Sequence, residues 1–248
     1  MTSRPQHLDD LFREWPYEYG EVAVRVVTGA DERQVLQLRV DMGVLQLETT
    51  GRPDGSRPGG LPTCFDWLRA EAGEEGNKFV LDEARCLEID REFVQFFHRR
   101  VAWLSLGQFD RAVSDADHTL ALMDFSFVHA PDEAWAELHE QYRPFVLFHR
   151  TQAAALLALS ETGAPAALAQ IDVGMAAIRD ALARRDLLDM EQEEGMLERL
   201  DEMKSAIAQQ FEAQPSLSQQ LADAVAAEQY ELAAQLRDQI RRRRRHDA

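Results

Sequence analysis

Arg241, Arg242, Arg243, Arg244 and Arg245 form the densest run of charge in this 248-residue chain. With Arg237 and against Asp238 they make residues 237–246 strongly basic. Guanidinium forks bind phosphate and carboxylate oxygens in pairs. The chemistry on offer is therefore contact with nucleic acid or with an acidic protein surface. Two plainer roles stay open beside it. Cations complement the negative C-terminal end of a helix, and the run has an acidic chain to pair with. Up to Gln214 acidic residues outnumber basic ones 39 to 21, whereas residues 215–248 carry a slight basic excess.

A second set of candidates is His98, His118, His129, His139 and His149. A helical metal site needs histidines or carboxylates at i, i+3 or i+4 converging from two helices. Asp115 and His118 have that spacing, but no ExxH pair of the di-iron type accompanies them. His139 and His149 share a face only if Pro144 does not break the helix between them. Partly exposed helix histidines are the better account, and no metal or other cofactor is expected. The Gly51–Gly60 loop, with Arg52 and Arg57, offers backbone amides to an anion. It lacks the strand–loop–helix setting of a nucleotide site, so an ordinary crossover loop is favoured. Cys64 and Cys86 belong to no CxxC pair, which argues against structural zinc and a disulfide framework. Cys64, near Pro62 and Phe65, reads as a packed residue rather than a nucleophile.

The elements that would carry these residues fall into three stretches. Residues 1–61 hold Val22 to Val27, the alternating Val35 to Asp41, and Val44 to Glu48. Leu36, Leu38 and Val40 fall on one face of the second segment, with Gln37, Arg39 and Asp41 on the other. This predicts a small antiparallel meander, too small to stand alone and so packed on helices. Residues 62–213 are helical by period: Phe93, Phe97, Val101 and Leu104 stripe one helix, and Val113, Ala116, Leu120, Met123 and Phe127 the next. Phe145 to Leu159 is apolar around much of its circumference, as a central helix would be. Met196, Leu200, Met203, Ile207 and Phe211 line a last long helix. The turn Leu106–Val113, with Gly107 and Phe109, resembles half of a tetratricopeptide repeat, and Gly163–Ile171 echoes it. The expected fold is mainly α: a small N-terminal antiparallel β meander, an α-helical repeat-like bundle, and a C-terminal helical hairpin.

That hairpin occupies residues 214–248. Leu217, Leu221 and Val225 recur at i, i+4, i+8, a turn falls near Glu228–Tyr230, and Leu232, Ala233, Leu236 and Ile240 stripe a second arm. Two such short arms cannot bury both stripes without a partner surface. The pairing surface is expected from Leu221, Val225, Tyr230, Ala233, Leu236, Arg237 and Ile240.

The stretch Leu221 to Ile240, with "YELAAQLRDQI" at its centre, resembles the UVR motif, the helical hairpin of the UvrB and UvrC repair subunits. With "QLRVDMGVLQLETTGRPDG" and a helical middle, the whole chain resembles a group of bacterial proteins known by this motif, whose biochemical role the motif leaves open. The resemblance implies contact between proteins, since in the repair subunits the hairpin pairs with an identical or related one. The module also occurs in regulators of stress-response proteolysis. The chain has no GxxxxGK[ST] phosphate loop and no GIY-YIG-like nuclease signature, so it is neither subunit itself.

Composition narrows the function. Apolar residues at 45% make the chain a globular one, and a net charge of -17 argues against wrapping of duplex nucleic acid. No stretch is apolar enough to span a membrane and the first residues carry no apolar run, so a cytoplasmic protein is expected. The expectation is a non-enzymatic adaptor whose hairpin pairs with itself or with a protein partner. The alternatives are a nucleic-acid-associated repair accessory using Arg241, Arg242, Arg243, Arg244 and Arg245, and an enzyme with a helical metal or anion site.

Overall fold

A computed structural model describes residues 8–29, 31–76, 79–184 and 190–213, and then 221, 224–227, 229–235, 237 and 238; within the helix at 190–213 it describes the side chains of 195–211. The chain divides into two compact units, Met1–Leu200 and Asp201–Ala248.

The first unit opens with a short helix, α1 (Asp9–Glu14), followed by three strands, β1 (Val24–Thr28), β2 (Gln34–Val40) and β3 (Gly43–Glu48). They form the antiparallel sheet β1-β2-β3, with Val26 opposite Leu36 and Leu38 opposite Leu45. β-branched and leucine side chains at alternate positions favour this pleated surface. Leu36 and Leu47 pack into one cluster with Ala102, Trp103, Ala112 and Ala153, so the sheet is seated on helices. The other face of β2 departs from the simple alternation. Arg39 is buried. Its guanidinium lies 4.3 Å above the Phe12 ring and donates to the carbonyls of Trp15, Val40, Asp41 and Gly43. Arg25 covers Trp15 at the same distance. The segment around α1 thus roofs the strand face that alternation assigned to solvent, using cation–π contacts.

The helices are α2 (Cys64–Glu75), α3 (Glu83–Ser105), α4 (Phe109–His129), α5 (Glu133–Glu140), α6 (Arg143–Glu161), α7 (Ala164–Ala183) and α8 (Met190–Ala213). Gly107 and Gly163, at φ +69° and +107°, stand at the turns where α4 folds back on α3 and α7 on α6. These two turns are the places where the sequence echoes a tetratricopeptide repeat. Pro144 sits in the first turn of α6, where its missing N–H is harmless, and the chain breaks between α5 and α6 as that proline suggested. α6 and α7 approach so closely at Gly174 that a Cβ there would collide with the Thr151 side chain.

The interior of α3 is more polar than its apolar period implies. Phe96, Ala102 and Trp103 are buried, and so are Glu92, Arg99 and Arg100, whereas Phe93 and Phe97 are only partly buried. Glu92 is fully buried and accepts hydrogen bonds from the Cys64 and Phe65 amides, at 2.6 and 3.1 Å. Thr63 Oγ1 accepts from the Asp66 amide at 3.1 Å. The first three N–H groups of α2 are therefore satisfied, two of them by a carboxylate from another helix. Arg99 pairs with Asp115 through both carboxylate oxygens, at 2.7 and 2.9 Å, and also donates to the Glu48 and Gly51 carbonyls. Sheet, loop, α3 and α4 meet on that one side chain.

Two outcomes follow in denaturant unfolding of the full chain. Glu92→Gln removes the charge that faces two helix-end amides and Arg52, and should cost about 3 kcal/mol. Gly174→Ala should cost about 1–3 kcal/mol through overpacking, and the double variant Gly174→Ala, Thr151→Ala should recover part of that loss.

Candidate functional site

The second unit contains the residues singled out for pairing. Residues 224–226 are helical, and Gln229 N–H returns to the Ala224 carbonyl at 2.8 Å. That six-residue wrap is a usual way to end a helix. Gln229 then serves as the first acceptor of the second arm, taking the Ala233 N–H at 2.9 Å, and residues 230–235 are helical. Ala224 and Ala233 are buried against each other's arm with Leu221 partly buried beside them. A methyl group is the whole side chain at both seam positions, so the two backbones come close.

This seam divides the expected stripes. Leu221 and Ala233 lie at the seam, but Val225 is 51% exposed, Tyr230 67% and Leu232 44%. The alternation of arms places them outside the hairpin, with Gln229, Glu231 and Gln235 lining an open depression around Tyr230 and Leu232. Arg237 is exposed and lies 3.2 Å from Asp238, an ion pair of the kind that water screens to little net value. Leu236 and Ile240, expected in the pairing stripe, lie outside the described residues. So does the whole basic run expected to meet nucleic acid or an acidic partner: Arg241, Arg242, Arg243, Arg244 and Arg245.

In the first unit the other candidates are held by packing partners. Arg52, offered by the sequence to an anion, is buried and turned inward. It donates to Glu88 Oε2 at 2.5 Å and lies 3.4 Å from Glu92 Oε2, without hydrogen-bond geometry at the latter. An anion at the loop would meet carboxylates that already hold the cation, so the structure favours the plain loop. The Asp115–His118 pair is divided as well: Asp115 serves Arg99, and His118 Nε2 lies 2.9 Å from Glu92 while its ring stacks on Phe96 at 3.9 Å. His129 sits edge-on to Phe79, and His139 stacks on Phe93 at 4.3 Å. Among the described residues no group of three metal-ligating side chains comes together. Burial pushes the thiols of Cys64 and Cys86 up to about 12 and about 11, the behaviour of packed rather than nucleophilic cysteines.

Sequence period missed three buried charges of α3, Glu92, Arg99 and Arg100, because charge on a helix ordinarily means a solvated face.

The UVR (UvrB/uvrC) motif family matches residues 213–244. No curated protein and no solved structure matches the chain. The motif thus falls on the hairpin of the second unit, and among the described residues no helix is long and apolar enough to cross a membrane.

One pH dependence follows from the first unit. Burial, and then the Arg100 charge, hold His149 down to about 3. Its imidazole is neutral in the folded chain, whereas the unfolded chain takes up a proton below about 6.5. The unfolded state binds more protons in that window, so stability falls as the pH drops. The loss attributable to His149 should be about 1.4 kcal/mol for each pH unit below 6.5. Burial lowers His98 and His139 too, which adds to the slope. Urea unfolding at several pH values between 7 and 4.5 should show this slope, and His149→Gln should flatten it.

Proposed function

We propose that this protein is a non-enzymatic adaptor that engages a matching helical hairpin, on a second copy or on a protein partner, through residues 214–248. The observation that supports this reading most is the exposure of Val225, Tyr230 and Leu232 on a hairpin whose own seam is filled by Ala224 and Ala233. Three sizeable apolar groups on one short hairpin have no cover of their own among the described residues, and apolar area left in water is what association removes. Tyrosine is favoured at such contacts because it combines a large apolar ring with a polar tip. The UVR match on the same residues supports an interaction role of this kind.

In this proposal Leu221 and Ala233 hold the hairpin shut, and Val225, Tyr230 and Leu232 meet the partner. Arg237 and the run Arg241, Arg242, Arg243, Arg244 and Arg245 set the choice of partner by charge, which acts on specificity and encounter rate more than on affinity. The first unit is a scaffold of tetratricopeptide-like helix pairs. The pairs α3/α4 and α6/α7, each with a glycine at its turn, support that part of the reading.

The test keeps the full chain and changes two exposed positions, Val225→Glu with Tyr230→Glu. Light scattering and a pull-down with the tagged protein should report loss of self-association or of partner capture, with the thermal unfolding of the first unit unchanged. Removing residues 215–248 should give the same outcome. A mass and a capture profile that neither change alters would overturn the proposal.

A further inference from the structure

Helices α3, α4, α5 and α6 line an open cavity of about 550 Å3 within the first unit. That is within the range of small-molecule sites, roughly 300–1,000 Å3. Its walls are apolar, with Phe93, Val94 and Phe97 from α3 facing Met123 and Phe145. Its two charged groups lie at opposite ends. Asp90 and Arg100 both line it and stand ten residues apart on α3, so about 15 Å of helix axis separates them.

The Arg100 end carries an unmet positive charge. Arg100 is 1% exposed. Its guanidinium donates to Thr119 Oγ1 at 3.1 Å and to His149 Nδ1 at 3.4 Å, both uncharged groups. The carboxylate that acts on it, Asp115, has both oxygens engaged by Arg99. Two buried guanidiniums therefore share one carboxylate. The other buried arginines are better served: Arg52 has Glu88, and Arg39 has backbone carbonyls. Burial pushes Arg100 down to about 10, which is what an uncompensated cation does.

The other end carries an unmet acceptor. His139 Nε2 lies 2.8 Å from Asp90 Oδ1, and its Nδ1 is buried with no partner. A carboxylate only accepts, so Nε2 holds the hydrogen and Nδ1 offers a bare lone pair. That lone pair is closed off from the cavity, so the acceptor this end offers to a ligand is the Asp90 carboxylate, which lines the cavity and is 43% exposed.

We propose that this cavity binds an elongated apolar small molecule with a carboxylate at one end and a hydroxyl at the other. The carboxylate meets the Arg100 guanidinium, the chain runs along Phe93, Phe97 and Phe145, and the hydroxyl donates to the Asp90 carboxylate. This site is independent of the hairpin and stands whether or not the hairpin pairs.

The test is calorimetric titration of the full chain with ω-hydroxydecanoate, below its micellar range, against decanediol, which keeps the length and lacks the carboxylate. One equivalent of ω-hydroxydecanoate should bind, about ten-fold or more tighter than the diol, the contribution of a charge-assisted hydrogen bond. Arg100→Gln should abolish that preference. Val94→Trp, at a position 55% exposed, should fill the cavity and remove binding while the chain keeps its unfolding temperature. That second variant decides the matter where Arg100→Gln does not fold. No binding, several equivalents per chain, equal affinity for the diol, or binding untouched by Val94→Trp would each overturn the proposal.

Discussion

The Glu92 carboxylate is the contact on which the first unit turns. It is fully buried, and four groups converge on it: the amides of Cys64 and Phe65, the His118 ring and the Arg52 guanidinium. They come from α2, α4 and the 51–60 loop, while Glu92 itself belongs to α3. A bare carboxylate in this position would cost several kcal/mol of desolvation. It is tolerable because two of its partners are orphan amides at the positive end of α2, which need acceptors in any case. Helix end and buried charge each remove the other's liability. Arg99 with Asp115 repeats the device further along α3 and reaches the carbonyls of Glu48 and Gly51. The sheet and loop are therefore registered on the helices by charge, and the apolar clusters fill the space that those charges define.

This gives the arginine excess a structural meaning. Lys78 and Lys204 are the only lysines among 27 basic residues. Arg39, Arg52, Arg99 and Arg100 are all buried. A guanidinium spreads its charge over five donors in a plane, so it can serve carbonyls, carboxylates and a ring face together, as Arg39 does for carbonyls and a ring. An ammonium at the same place would leave most of those acceptors unpaired. The fork geometry explains why several of the arginines are inside.

How much of this was legible in the sequence depended on whether a side chain obeyed its usual partition. The meander was legible because Leu36, Leu38 and Val40 alternate with polar residues, and strands β2 and β3 fall within a residue of the expected segments. The turns at Gly107 and Gly163 were legible because only glycine sits there without strain. The break at Pro144 followed from its missing donor. Glu92, Arg99 and Arg100 were not legible as core, because a charged side chain on a helix face is ordinarily in water. Their burial rests on partners 16 to 51 residues away, Asp115, Cys64 and Glu48 among them, which no local period reveals. The roof over Arg39 was missed for the same reason: Phe12, Trp15 and Tyr17 are too few and too irregular to read as a layer. At the candidate site the motif was legible from Tyr230, Ala233 and Ala234, but not which apolar residues close the hairpin and which face outward.

That last division has a geometric cause. The size of the residues at a helix seam sets how far apart the arms stand. With Ala224 and Ala233 inside, the arms come close and leave no room between them for a tyrosine or a valine. Val225, Tyr230 and Leu232 are excluded from the seam by the same alanines that hold it shut. Larger residues at the seam would open a groove in which the hairpin could bury its own apolar groups and become self-sufficient. Small ones make it tight, thin and apolar outside, which is stable only marginally by itself. A hairpin built this way gains most from a second surface of like shape, because two thin hairpins laid together make the four-helix layer that neither makes alone. The alanine seam is thus both the reason that the hairpin closes and the reason that Val225, Tyr230 and Leu232 stay exposed on its outer face.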